Sequence, residues 1–366
     1  MIPEAAVVDI WCARYDFVVE GILIGLVSCT GLLLNIVSAV CLAKHRSTSA
    51  TPFLLVSLTI ADILFLASVI PIRVVHTITQ YFEFNHLQPF DPYLVKYVFP
   101  LALVCQTASI YMTILVTSNR YACAKHPYTV NSTCSLKNSR AYVAVVWGFS
   151  FLYNLPRFFE WNFEEVTSSD GSNFTSLVPT AMAESTTYQY LYCNIMYCLV
   201  MFAIPLVALF VLNTLLILEL RKIQRRRLVM TTAQRRGDQT SRSDHDITLI
   251  LIVVVVIFIV TNAPALLTQI LQVALHGEKK SCGYFLFYYA RISDLLIVIN
   301  SSLNFIIYIL CSSRFRKILI ETVFGDRCQP RGSNSQEMTT RTNNTRVTSC
   351  ATKYSSLGRV NGTTQL

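Results

Sequence analysis

The 366 residues are 53% hydrophobic and only 14% charged, roughly half the charged share of a soluble globular domain. Such a chain is a membrane protein rather than a soluble enzyme. Its net charge of +9 reports topology and not nucleic-acid binding, because the bases gather in segments that share one side of a membrane.

In chain order, apolar runs predict spans at 21–43, 47–72, 97–118, 141–156, 185–218, 247–275 and 295–313. The first run is too long for a signal-peptide core and lacks a basic flank before it, so it is expected to stay as a helix. With the amino terminus outside, segments 44–51, 119–140, 219–246 and 314–366 are cytoplasmic and hold 23 of the 30 Lys and Arg. The expected organisation is an extracellular segment 1–16, a seven-helix domain 17–311, an amphipathic helix 312–325 lying on membrane lipid, and a disordered cytoplasmic tail 326–366. In the amphipathic helix Phe315, Ile318, Leu319 and Val323 share one stripe. The polar loop 160–185 carries the one sequon placed outside, at Asn173, a predicted glycosylation site. The bases of 221–246 form an inner-face anchor and a docking surface for an acidic cytosolic partner.

Cys12, Cys193 and Cys282 lie on the oxidising side, where a pair among them can bridge; sequence leaves the pairing open. Cys328, just after the amphipathic helix, is a palmitoylation candidate. The chain's last residues, Thr364-Gln365-Leu366, have the Thr-x-Leu form that PDZ domains take by strand addition.

Asp62 is the one acid at mid-span, and a charge there is costly enough to read as functional. Asn35 and Ser109 lie at comparable depth, and Asn300 and Asn304 share a face of the last span. One carboxylate among hydroxyl and amide oxygens is chemistry for a small hard cation, against the simpler use of a polar cluster joining helices. Pro205 and Pro264 interrupt long spans and free backbone carbonyls at kinks. Arg120 ends the uncharged stretch Tyr97 to Ser118, where a lone arginine serves as a stop-transfer residue.

Asn35 after Gly31, "LTIAD" ending at Asp62, "NRY" with Arg120, Trp147, Pro205, Phe258 before Pro264, and "NFIIY" before a basic amphipathic helix follow one another in order. The set resembles a rhodopsin-like G-protein-coupled receptor over residues 17 to 325. "YVFPLALVCQTASIYMT", "LYNLPRFFE" and "INSSLNFIIY" are similar to FMRFamide-type neuropeptide receptors. The resemblance implies an all-α, seven-transmembrane-helix bundle with an interfacial eighth helix, in the plasma membrane. It also implies a heterotrimeric G protein as partner, with arrestin and receptor kinases, and no enzymatic activity. Arg120 with Tyr121 then exchanges partners on activation, Tyr308 swings inward, and Asp62, Ser109, Asn300 and Asn304 match an allosteric sodium site.

Four positions depart from the pattern: Asn119 replaces the acid beside the arginine, Phe305 the proline and Asn262 the tryptophan of helix six, and Val95 stands where the family's outer cysteine lies. The usual disulfide to the second outer loop is therefore expected to be missing. Asp244 is the acid expected to restrain Arg120 in its place.

For the outer pocket the expected ligand contacts are Asp294, Gln106, Gln269, Glu160, Arg291, Phe99 and Tyr288, with Tyr111, Phe158 and Phe285 as further aromatic surface. An arginine-containing, amidated peptide uses carboxylate, aromatic and amide partners together. A local Arg291–Asp294 pair is the structural alternative. An amine receptor would carry an acid where Ala102 stands, and an odorant receptor is a related alternative. A seven-helix membrane hydrolase would need His ligands inside the bundle, whereas all six His lie near span ends or in loops.

Overall fold

The computed structural model describes residues 4–43, 50–84, 90–126, 135–167, 173–231, 256–271, 282, 284–311, 315–316, 319–320 and 322. Helix one is Ile10–Ala43, continuous with a helical segment that begins at Glu4; helix two is Ala50–Tyr81, helix three Asp91–Lys125 and helix five Tyr188–Ile223. Among the described residues these four are long and apolar enough to cross a membrane. A fifth is the bent pair Phe285–Ser302 and Asn304–Leu310, here helix seven. Helix four is Leu136–Asn154, started by Ser135, whose hydroxyl accepts from the Asn138 N–H at 3.2 Å. The shorter apolar helix Val256–Leu271 is the described part of helix six.

Helices one, two, three and five hold 34, 32, 35 and 36 residues. At 1.5 Å per residue each is about 50 Å long, well beyond a hydrocarbon core of ~30 Å. The apolar runs stop earlier because Glu20 and Arg73 interrupt them, yet these two charges lie 3.0 Å apart and let both helices continue outward. The expected outer segment 1–16 is helical from Glu4 onward.

Helix three packs against helices two, four and five, and helix one against two and seven. Three apolar clusters fill the space between them. One joins Cys41, Leu54, Leu58, Met112 and Tyr308 near the inner end. Another joins Ile24, Phe65, Leu66, Ala102 and Val298 toward the outer end. The third sets Phe258 and Ala265 of helix six against Ile110, Met201 and Leu209. Leu33, Val145, Leu152 and Phe210 point outward, as side chains facing lipid do.

Helix seven bends by 42° at Leu303 although Phe305 occupies the family's proline position. The Asn35 amide nitrogen donates to the Gly31 carbonyl at 2.9 Å and to the Ser301 carbonyl at 3.1 Å. A neighbouring side chain thus takes an acceptor of the helix-seven ladder just before the bend, one of the recognised causes of a kink. Past the bend Phe315 is buried under Phe305 and Tyr308, and Arg316 Nη1 donates to the carbonyls of Ile309 and Leu310 at 2.6 and 3.1 Å. A cation on the last carbonyls suits a helix C-terminus. These residues are helical and belong to the expected interfacial helix; most of 312–325, the tail, Cys328 and Asp244 lie outside the described residues.

The expected polar loop contains a β-hairpin, an addition to the otherwise helical fold. Strand β1 (Trp161–Thr167) pairs antiparallel with β2 (Asn173–Pro179), with Thr167 opposite Asn173 at the tip and Trp161 opposite Pro179 at the base. The sequon at Asn173 therefore opens β2. Cys12 is joined to Cys282, which settles the pairing that sequence left open, and Cys193 is a free thiol.

Gly31 meets helix seven so closely that a Cβ there would overlap Oγ and Cβ of Ser302 and come within 3.1 Å of Leu66 Cδ1. Gly31→Ala is expected to destabilise the bundle by about 1–3 kcal/mol, the usual cost of overpacking. Thermal melting of the detergent-solubilised protein checks this, with partial recovery in Gly31→Ala/Ser302→Gly.

Candidate functional site

A cavity of about 230 Å³ opens among helices one, two, three, five, six and seven, on the side of the bundle that bears the hairpin. Its polar lining is Arg73, Gln106, Arg157, Tyr197, Gln269 and Asp294, set among Phe65, Phe99, Ala102 and other apolar side chains. A few convergent polar groups on an apolar wall make the usual form of a small-ligand site.

Asp294 is 30% exposed and accepts from Arg73 Nη2 at 2.8 Å. The other arm of the same guanidinium, Nη1, donates to Glu20 Oε1 at 3.0 Å. Arg291 does not form the local pair with Asp294; its Nε donates instead to Asp16 Oδ1 at 2.9 Å and lies 3.0 Å from Glu20 Oε1. The physical reason is availability: helix one brings two carboxylates to Arg291, and helix two brings Arg73 to Asp294. Arg73, Glu20 and Arg291 also line a second cavity of about 210 Å³ with His76, Asp91 and Val95.

Of the expected contacts, Asp294, Gln106, Gln269 and Phe99 meet at the first cavity. Glu160 is held elsewhere, accepting from Arg157 Nη1 and from the Tyr188 hydroxyl, both at 2.8 Å, so that Arg157 takes its place on the cavity wall. Burial alone would draw the Arg157 guanidinium below its usual range; Glu160 beside it reverses this and holds the pKa above it. Tyr288 belongs to the seam between helices one and seven, its ring edge-on to Tyr15 at 4.8 Å and its carbonyl accepting from the Tyr15 hydroxyl at 3.0 Å. Tyr111 is deep, donating to the Val200 carbonyl at 3.0 Å. Phe158 packs on Phe151, and Phe285 stacks on Tyr289.

Beneath the cavity Asp62 is wholly buried and accepts from Ser109 Oγ and Asn304 Nδ2, both at 2.6 Å. Ser301, buried three residues before Asn304, is a further polar side chain near this carboxylate that sequence reasoning missed. Asn300 instead faces helix six, where its Oδ1 accepts from Thr261 at 3.1 Å. At the position of the lost tryptophan, the Asn262 amide turns back on its own helix to the Phe258 carbonyl, 2.9 Å away. Asn119 donates to Thr51 Oγ1 at 3.0 Å, which ties helix three to the start of helix two and leaves Arg120 without the family's neighbouring acid. Tyr121 lies under Lys125, whose Nζ is 5.4 Å from the ring, and Tyr308 is buried in the inner cluster.

A family model, the seven-transmembrane receptors of the rhodopsin family, matches residues 34–308. The chain belongs to that family. The receptor is 30% identical over 320 residues to the FMRFamide receptor of Drosophila melanogaster, an alignment covering 86% of this chain and 55% of the fly protein. It is 25% identical to an FMRFamide peptide receptor of Caenorhabditis elegans, over 75% of this chain and 62% of that one. Neurotensin receptor type 1 of Rattus norvegicus is 22% identical over 80% and 72% of the two chains. The receptor thus spans little more than half the length of the fly relative, and it is a multi-pass membrane protein by its family.

Arg73 and Ser301 were within reach of the sequence. Arg73 follows Asp62 by eleven residues, three helical turns outward on nearly the same face, and Ser301 precedes Asn304 by three.

With Val95 at the family's cysteine position, the receptor anchors its hairpin by other means. The Phe163 ring lies 4.8 Å from Tyr93 and 6.1 Å from Tyr97, and Lys96 Nζ stands 4.3 Å over its face. Together these contacts are worth about 1–2 kcal/mol. Phe163→Ala is expected to speed amide exchange in 161–167 roughly five- to thirty-fold, while Phe163→Tyr stays near wild type, as read by hydrogen–deuterium exchange.

Proposed function

We propose that this protein is a plasma-membrane receptor, amino terminus outside, that binds a short amidated peptide of the FMRFamide type and drives nucleotide exchange on a heterotrimeric G protein. Arrestin and receptor kinases are its further partners by family resemblance. The observation that carries the proposal is the first cavity, where one carboxylate, two primary amides and aromatic and aliphatic wall stand together: Asp294, Gln106, Gln269, Phe99 and Phe65. An Arg-Phe-amide terminus offers the complement of each, namely a guanidinium, a carboxamide and a phenyl ring. Ala102 at the cavity wall, where an amine receptor needs an acid, weighs against an amine ligand. Family membership leaves the odorant and hydrolase alternatives without support.

Asp294→Asn tests the contact. FMRFamide is expected to lose about tenfold or more in potency, the scale of a charged hydrogen bond, while its citrulline analogue loses far less. Calcium or cyclic-nucleotide signalling at matched surface expression is the measurement; equal losses for both peptides remove Asp294 from the site.

We further propose sodium as a ligand of the resting state. Asp62, Ser109 and Ser301 supply hard oxygens that fit the ion, and Asn304 orients the carboxylate through its amide N–H. Asn300, which faces Thr261, is the weakest member of the expected set. Linkage then requires agonist affinity to fall as sodium replaces a large organic cation at constant ionic strength. Asp62→Asn is expected to abolish the dependence, and radioligand competition in the two salts reads it.

A further inference from the structure

Asp294 already holds a guanidinium. Asp16, Arg291, Glu20, Arg73 and Asp294 form one chain of alternating charges across helices one, two and seven, with neighbouring groups 2.8 to 3.0 Å apart. Three carboxylates face two guanidiniums, so the chain is short of one positive charge. The side chains are not equally committed. Glu20 is 5% exposed and also accepts from the Thr77 hydroxyl at 3.3 Å, whereas Arg73 and Asp294 are each about 30% exposed and line the cavity.

We propose that Arg73 is a tethered stand-in for the ligand's arginine: it occupies Asp294 in the empty receptor, and an incoming guanidinium takes that place while Arg73 falls back on Glu20. This builds on the peptide reading of the cavity and names the residue that the ligand displaces and that limits its selectivity. The exchange replaces one guanidinium by another on Asp294, so the carboxylate is never left unpaired, and removing one partner of such a pair is the costly event. Arg73 keeps a buried acid 3.0 Å from its other arm and is not stranded either. Binding also supplies the missing charge and brings the chain of five to neutrality. A peptide without a cation can do neither; it leaves Arg73 in place and gains nothing from Asp294. Discrimination thus comes from Asp294, and Arg73 tempers it as an internal competitor that only a like group displaces.

The test is the potency ratio of FMRFamide to its citrulline analogue in wild type, in Arg73→Gln and in Glu20→Gln/Arg73→Gln. The double variant guards against misfolding, because it removes the buried acid beside Arg73 together with it and leaves only the part-exposed Asp294 without its guanidinium. Removing the competitor is expected to raise the ratio about tenfold in both variants, and adding Asp294→Asn to either is expected to cancel the gain. A ratio that stays the same or falls in both variants, with wild-type responses intact, overturns the exchange and leaves the peptide reading standing. A wild-type receptor that responds to neither peptide overturns that reading and the exchange with it.

Discussion

A charge below the membrane surface persists only beside a partner, and in this receptor the partners come from different helices. Arg73 of helix two lies between Glu20 of helix one and Asp294 of helix seven, and Arg291 returns the connection from helix seven to Asp16 and Glu20. Because every pair crosses a helix boundary, the pairing fixes how far the three helices stand from one another. It also sets their length, since helices one and two extend past the residues where an isolated charge would end them. Arg73 and Asp294, which line the first cavity, are held in place by this arrangement.

Three turns inward the same logic is met with neutral donors. Asp62 gathers Ser109 from helix three and Asn304 and Ser301 from helix seven, while Asn35 reaches from helix one to the Ser301 carbonyl. Helix seven is therefore held on both sides of Leu303, before the bend by Asn35 and after it by Asp62. The bend survives the replacement of proline by Phe305 because side chains of neighbouring helices, and not the local backbone, provide its cause.

Much of this was legible in the sequence, for identifiable reasons. Hydropathy places the spans, and depth along them groups Asp62, Ser109 and Asn304, which the structure joins by hydrogen bonds. Depth does not give rotation about the helix axis, which is why Asn300 was grouped with Asp62 although it faces Thr261 and Ser301 holds the inner position. The Arg291–Asp294 pair failed for a related reason: spacing of three along one helix allows a contact, but better-placed acids on helix one compete for the arginine and Arg73 competes for the acid. Glu160 was lost to Arg157, only three residues away, because Tyr188 completes that pair from helix five. The hairpin was hidden because its strands, at 161–167 and 173–179, are short and rich in polar residues, so they carry no strong alternation; pairing between them is a tertiary fact.

The bond between Cys12 and Cys282 joins residues 270 positions apart, from the head of helix one to the approach to helix seven. On the outer side the first and last helices are thereby joined by covalent chemistry as well as by packing, and the chain between the two cysteines becomes a closed loop from which helix seven leads out. A cut in any connection between the two cysteines therefore leaves the two pieces joined instead of releasing a fragment. Only when that one bond is reduced as well does such a cut separate the chain into two pieces.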